Sequence, residues 1–129
     1  MENGEFKELY VKEGSSKELL KKTLSGNIKL TETGDVLLTS IKPAKRAIVM
    51  YLLGNKVLKL DGVKQEEAEG PAEIFQRTGI PRGTVGRELK ELSDDGFVKT
   101  TEDGKYFIPD NLLLRIHELF ENKGDKNEN

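Results

Sequence analysis

The apolar positions after residue 70 first follow a helical period. A short amphipathic helix is predicted over residues 72–78, and Gly79-Ile80 forms a tight turn after it. A second helix is predicted from Pro81 to about residue 93, because proline suits the first turn of a helix, where its missing N–H would find no partner. Three apolar residues of this helix recur at helical spacing and form one stripe: Val85, Leu89 and Leu92. Four polar residues then face outward as an unshared basic face: Arg82, Thr84, Arg87 and Lys90.

Beyond this helix the pattern changes to alternation. Residues 97–101 and 105–108 alternate in a strand-like way around Asp103-Gly104. An Asp-Gly pair between two such runs predicts a hairpin with a tight turn, in which both central residues adopt positive φ.

A second hairpin is predicted earlier in the chain, where residues 28–31 and 36–40 flank Thr33-Gly34-Asp35. With a two-residue loop, one face would carry Ile28, Leu30, Leu37 and Ile41. Val36 and Leu38 would point the other way. Because a two-stranded ribbon is marginal alone, it must pack on a helix or on a partner chain, and we favour the partner chain.

Three further helices complete the expected elements. Ser16 is a candidate N-cap for a helix over residues 17–25. Another helix begins near Pro43, and we expect a break or bend at Gly54-Asn55. Residues 61–70, which hold four acids and little periodicity, indicate an exposed linker.

The last helix is predicted over residues 111–122, with a disordered polar tail at 123–129. Its apolar surface is wider than a surface helix needs. It either packs on the helix at 17–25 or meets a second copy of the chain. Residues 1–14 fit a frayed helix or a short strand.

Helix, turn, helix and hairpin in this order resemble a winged helix-turn-helix, over residues 43–109. The segment GIPRGTVGRELKELSDDGFV is similar to the recognition-helix segment of bacterial and archaeal repressors of the multiple-antibiotic-resistance and arsenic-resistance kinds. The resemblance implies a winged helix-turn-helix over residues 43–109. Together with the elements predicted from the residue pattern, the expected fold is α+β, with an N-terminal helix plus β-hairpin extension over residues 1–42 and a C-terminal helix over 110–122. The resemblance places Arg82, Thr84 and Arg87 at base-facing and phosphate-facing positions.

Composition narrows the class of protein. The 129 residues are 35% hydrophobic and 34% charged, with a net charge of −2. The charge is segregated, since residues 15–60 carry nine Lys or Arg against three acids and residues 77–90 carry four against one. An acidic protein with such a distribution can keep one basic face for DNA.

Enzymatic and metal-binding interpretations find little support in the sequence. The chain has one histidine, His117, and no cysteine, so neither a catalytic triad nor a zinc site can be assembled in an obvious way. We expect no enzyme activity, no cofactor and no metal. The absence of a long apolar run and of a signal-peptide pattern predicts a cytoplasmic protein that does not enter a membrane.

These observations predict a small dimeric transcriptional regulator that binds double-stranded DNA, with the helix at 81–93 in the major groove. Six further cations are candidate DNA contacts, mostly to phosphates: Lys90, Arg77, Lys45, Arg46, Lys99 and Lys105. The acidic wing tip at Glu102-Asp103 argues against a deep minor-groove arm. The competing hypothesis is a winged-helix adaptor that docks on another protein in a replication, transcription or repair assembly. Whether a small-molecule effector exists is left open.

Overall fold

The structure, a computed structural model, describes the backbone of residues 13–127 and the side chains of residues 16–120. This part of the chain is α+β, with five α-helices and two small antiparallel hairpins. The helices are α1 (Glu13–Leu24), α2 (Ala44–Leu60), α3 (Pro71–Thr78), α4 (Arg82–Asp94) and α5 (Leu113–Asn127). The strands are β1 (Ile28–Leu30), β2 (Val36–Leu38), β3 (Lys99–Thr100) and β4 (Tyr106–Phe107). The expectations for residues 1–12 lie outside the described residues.

Helix α2 is the centre of the molecule. Every residue from Ala47 to Lys56 is buried, as expected of a helix that is covered on all sides. It contacts α1, α4 and both strands of the first hairpin. The buried apolar side chains of all these elements form one core cluster.

The expected break in α2 at Gly54-Asn55 is wrong, because the helix continues unbroken to Leu60. The glycine is required by packing. A Cβ at Gly54 would lie 2.8 Å and 2.9 Å from the two methyl groups of Val36, so the first hairpin sits directly on the helix backbone at this point.

The first hairpin uses its faces differently from the prediction. Ile28 pairs with Leu38 and Leu30 pairs with Val36, so these four side chains share one face, whereas Leu37 lies on the other and is exposed. The assumed two-residue loop is wrong: five residues, 31–35, connect the strands, and loop length sets the register. The apolar face packs on α2 within the same chain.

Helix α5 packs against α1 within the chain, as one of the two expectations for it required. Ile116 is buried, and a hydrogen bond of 2.8 Å joins Thr23 Oγ1 to Nδ1 of His117. A 3-10 turn at Asp110–Leu112 leads into α5, which extends to Asn127, beyond the predicted end at residue 122. Ser16 is not the N-cap of α1, since that helix begins at Glu13.

The second hairpin is joined by a third, one-residue strand. Glu69 forms an antiparallel bridge with Tyr106, through backbone hydrogen bonds of 3.1 Å and 2.9 Å. At the tip of the hairpin only Gly104 has positive φ among the described residues of the turn, so the expectation that Asp103 shares this conformation is wrong. The order α2, bridge, α3, α4, β3, β4 is compatible with a winged-helix layout.

Candidate nucleic-acid interface

Helix α4 is held by its apolar stripe and by the turn before it. Val85, Leu89 and Leu92 are buried, as predicted from their spacing. The turn is fixed by Gly79, whose φ of 80° allows its N–H to donate to the carbonyl of the preceding helix. Ile80 then enters the core and anchors the start of α4.

The outward face of α4 carries two glycines for which the chain itself offers no reason. Gly83 and Gly86 have ordinary helical φ values, and a Cβ added at either one would meet no heavy atom within 4 Å. Each destabilises the helix by roughly 1 kcal/mol relative to alanine. A close approach by something outside the described residues would explain both.

Three of the four residues predicted on this face, Arg82, Arg87 and Lys90, are exposed, but two of these three cations have partners within the chain. Arg87 is exposed and forms an ion pair of 3.3 Å with Glu88, and Lys90 pairs with Asp94 at 3.5 Å. Thr84, in contrast, is half-buried. The prediction of an unshared basic face is therefore wrong for two of its members.

Arg82 differs from these neighbours. It is exposed at the first turn of α4, and within the described part of the chain it makes no ion pair or hydrogen bond. The N-cap residue, Pro81, supplies no side-chain hydrogen bond to the helix start, and the first turn contains no acid. The N–H groups at this end of α4 and the Arg82 guanidinium are thus available to an anion.

Three of the expected phosphate contacts have partners inside the protein. Lys45 forms an ion pair of 2.9 Å with Glu91, and this hydrogen-bonded contact raises the pKa of the Lys45 ammonium. Arg77 pairs with Asp35 at 3.1 Å. These contacts tie α2 to α4 and α3 to the first hairpin.

Arg46 is the third cation with an internal partner. It donates a hydrogen bond of 3.2 Å to Asn27 Oδ1. Its guanidinium also lies 5.7 Å from the centre of the Phe120 ring. Arg46 thus connects α2 to the start of the first hairpin and to α5.

The second hairpin adds a mixed surface. Lys99 is exposed and Lys105 is half-buried, and Glu102 and Asp103 lie at the tip. A hydrogen bond from Thr101 is the main reason that the pKa of the Asp103 carboxyl lies below its usual range. The tip therefore stays acidic, which agrees with the argument against a deep minor-groove arm.

Beneath this hairpin lies a buried polar network that sequence reasoning missed. Tyr51 donates to one carboxylate oxygen of Glu69, and Lys64 Nζ donates to the other at 2.7 Å. Lys64 also donates to Asn55 at 2.9 Å. Burial, followed by the contact with Glu69, raises the pKa of Tyr51.

A second buried ion pair lies next to this network. Lys56 is 3% exposed, and its ammonium contacts Glu67 at 2.8 Å and Asp110 at 2.6 Å. The description of residues 61–70 as an exposed linker is therefore wrong for residues 67–69, since Glu69 and Ala68 are buried and Glu67 is half-buried, whereas residues 61–63, 65 and 66 are exposed as expected. A signal was present, because Lys56 falls on the apolar face of α2 and a buried cation requires a carboxylate.

Other kinds of site are not found in the described residues. No group of three or more His, Cys, Asp or Glu lies where it could hold a metal ion. None of the helices in that part of the chain is long and apolar enough to cross a membrane. No protein-family model, curated protein or solved structure matches the sequence.

Proposed function

We propose that the chain is a sequence-specific, double-stranded DNA-binding protein, a small dimeric regulator of transcription in which α4 is the recognition helix of a winged helix-turn-helix. The pair of exposed glycines on α4 carries this proposal. Gly83 and Gly86 flatten the outward face of the helix, between the side chains of Arg82 and Arg87. A flat, arginine-flanked helix can bring its backbone close to the wall of a major groove.

The start of α4 supports the same proposal. Unsatisfied N–H groups at a helix N-terminus, together with the helix dipole, bind phosphate. Arg82 stands beside them without an internal partner in the described residues. Arg82 therefore reaches a base edge or a phosphate, and Arg87 and Lys90 exchange their weak surface ion pairs for the duplex.

Substitution of the glycines distinguishes this proposal from the alternative that α4 merely tolerates two glycines on its exposed face. We expect Gly83→Ala and Gly86→Ala each to stabilise the fold by roughly 1 kcal/mol. The same variants should weaken binding to a duplex selected from a random pool about tenfold, equivalent to ~1.4 kcal/mol. Ser93→Ala, near the end of the same helix, is the matched control, since it improves helix propensity and should leave DNA affinity unchanged.

Substitution of Arg82 tests whether this arginine contacts a base or a phosphate. Arg82→Ala should weaken the free energy of binding to the selected duplex by ~1–3 kcal/mol and relax the sequence preference at one base pair. A phosphate contact, by comparison, would weaken all duplexes alike and reduce the slope of log affinity against log salt by about one unit. Affinities measured on selected and random duplexes from about 50 to 200 mM salt distinguish the two outcomes.

Two observations favour the adaptor hypothesis. Lys45, Arg46 and Arg77, expected to contact phosphates, are engaged within the chain, and the tip of the second hairpin is acidic. If the glycine variants gain stability and bind selected and random duplexes as the parent does, DNA binding by α4 is rejected and the adaptor takes its place.

A further inference from the structure

A cavity of about 620 Å³ lies at the opposite end of α2 from Lys45, between α1, β1 and the last turn of α2. Its walls are mainly apolar, and six aliphatic side chains line it: Leu20, Leu24, Ile28, Leu30, Val57 and Leu60. A volume of this size is in the range of small-molecule sites, which are about 300–1,000 Å³.

The mouth of the cavity leaves large apolar side chains in water. Leu60 is 56% exposed and Leu30 is 36% exposed, although both belong to the same lining as the buried Leu20 and Leu24. Filling the space between them with hydrocarbon would remove this surface from water, which is favourable in proportion to the area covered.

The charged groups around the mouth are mostly cations. Lys17, Lys21 and Lys29 line the cavity, and Asp61 is the one carboxylate among the described residues of the lining. Among the described residues none of the three lysines makes an ion pair or a hydrogen bond, whereas four lysines elsewhere have carboxylate partners: Lys45, Lys56, Lys64 and Lys90. The macrodipole of α1 accounts for Lys21, in its last turn, but not for Lys17 or Lys29.

We propose that this cavity binds an aliphatic carboxylate, with its chain against the leucines and its head group among the lysines. A second copy of the chain fits the surface less well. In a two-fold interface the same patch meets itself, so that two groups of three lysines would be brought together with one lining carboxylate, Asp61, from each copy. An anionic head group, in contrast, complements them. The proposal does not depend on DNA binding.

The test is a calorimetric titration of the full chain with octanoate, decanoate and dodecanoate below their micellar concentrations. We expect saturable binding of one molecule, about three- to fourfold tighter for each added methylene, because each contributes the transfer free energy of a buried CH₂. Dodecyltrimethylammonium, whose alkyl chain is one methylene longer than that of dodecanoate and whose head group has the opposite charge, should bind at least about fivefold more weakly than dodecanoate.

Matched variants test the two halves of the site. The double change Lys17→Gln and Lys21→Gln should weaken dodecanoate about fivefold. Lys22→Gln with Lys59→Gln removes two exposed lysines of the same helices outside the lining and should have no effect. Leu60→Ser should weaken binding about tenfold. Leu37→Ser, at a side chain of similar exposure outside the cavity, should not.

Three results would overturn the proposal. The first is no saturable binding of any of the carboxylates. The second is equal affinity in the parent and in the Lys17 and Lys21 double variant, which would leave an apolar groove without the proposed selectivity. The third is a dimer by sedimentation that Leu60→Ser dissociates while no carboxylate binds, which would assign the surface to a second copy.

Discussion

The two hairpins share one turn and differ in what surrounds it. In the first, the Thr31 N–H donates to the Asp35 carbonyl at 3.0 Å, and the Asp35 N–H donates to Thr31 Oγ1 at 2.9 Å. In the second, the Thr101 N–H donates to the Lys105 carbonyl at 2.7 Å, and the Lys105 N–H donates to Thr101 Oγ1 at 3.0 Å. Both turns have the sequence Thr-Glu-x-Gly-x.

The surroundings of the two turns are unlike. Gly34, in the first turn, is buried, and a Cβ there would lie 3.6 Å from the side chain of Lys64. A Cβ on Gly104, in the second turn, would meet nothing within 4 Å. The first hairpin also packs Val36 against Gly54 of α2, where the missing side chain leaves a notch in the helix surface. Both residues of β3, in contrast, are exposed.

The turn determines how each hairpin closes, and packing determines whether the hairpin joins the core. The threonine hydroxyl and the positive-φ glycine close the loop in both places, and they do so with local hydrogen bonds. Whether the hairpin becomes part of the core depends on the side chains that its strands present. Changes to the notch should therefore affect one hairpin, and changes to the turn should affect both.

The largest expected effect is at the notch. Gly54→Ala places a methyl group 2.8 Å from Val36, and we expect a loss of ~1–3 kcal/mol in the free energy of unfolding from overpacking. In a Val36→Ala background this loss should largely disappear, because alanine favours a helix by about 0.5–1 kcal/mol and the remaining close contact, 3.1 Å to Ile28 Cδ1, is with the flexible end of a side chain. Urea denaturation of the parent, the two single variants and the double variant gives the double-mutant cycle. A loss of the same size in the Val36→Ala background would contradict the packing explanation.

Removing the two threonine hydroxyls tests the shared turn. Thr31→Val and Thr101→Val each delete one acceptor of a backbone N–H, at a cost of ~0.5–1.5 kcal/mol. We expect Thr31→Val to cost more, because the N–H it leaves unpaired belongs to the turn that is packed against residues 63–64. Thermal unfolding measures both. Equal losses would mean that the environment of the turn has no influence on its stability.

The paired glutamates sharpen the comparison at the level of DNA binding, and this expectation depends on the proposed function. Glu102→Lys should add one phosphate contact at the tip of the second hairpin and steepen the salt dependence by about 0.9 units. Glu32→Lys makes the same change in charge at the equivalent position of the first turn. If Glu32→Lys enhances binding as much as Glu102→Lys does, net charge and not the position of the hairpin is responsible.

The smallest expected effect is a titration. The hydrogen bond from Thr101 favours the ionised form of Asp103, so the carboxyl stabilises the fold above its usual pKa. That contribution is lost as the pH falls through the lowered pKa of the folded state. Carboxyl NMR should show the pKa of Asp103 returning toward its usual value in Thr101→Val and unchanged in Thr31→Val.

Local signals in the sequence were sufficient for the elements that depend on near neighbours. The spacing of Val85, Leu89 and Leu92 identified α4 and its buried face, and Pro81 identified its start within one residue. The turn glycines Gly79 and Gly104 were identified because positive φ is a local requirement. The α+β class follows from these elements.

Contacts between distant segments were not predictable in the same way. Gly54 suggested a helix break, because the methyl groups of Val36 that require a glycine there come from another element. A strand of one residue, Glu69, shows no alternation. At the candidate site, the carboxylate partners of Lys45 and Arg77 belong to other elements, so the sequence overestimated the number of available cations.

The buried ammonium of Lys56 constrains how this protein can evolve. It is held by Glu67 and Asp110, which are contributed by two segments far apart in the chain. Loss of both carboxylates would leave the buried ammonium without a counter-charge and cost ~3–5 kcal/mol, a large part of the stability of a small domain. Loss of the lysine alone would leave Glu67, whose side chain is 14% exposed, without its partner, whereas the exposed Asp110 would stay in water. Single substitutions in this ionic contact are therefore expected to be destabilising. Descendant sequences should replace the cation and its carboxylates together, as a correlated change from an ionic to an apolar contact.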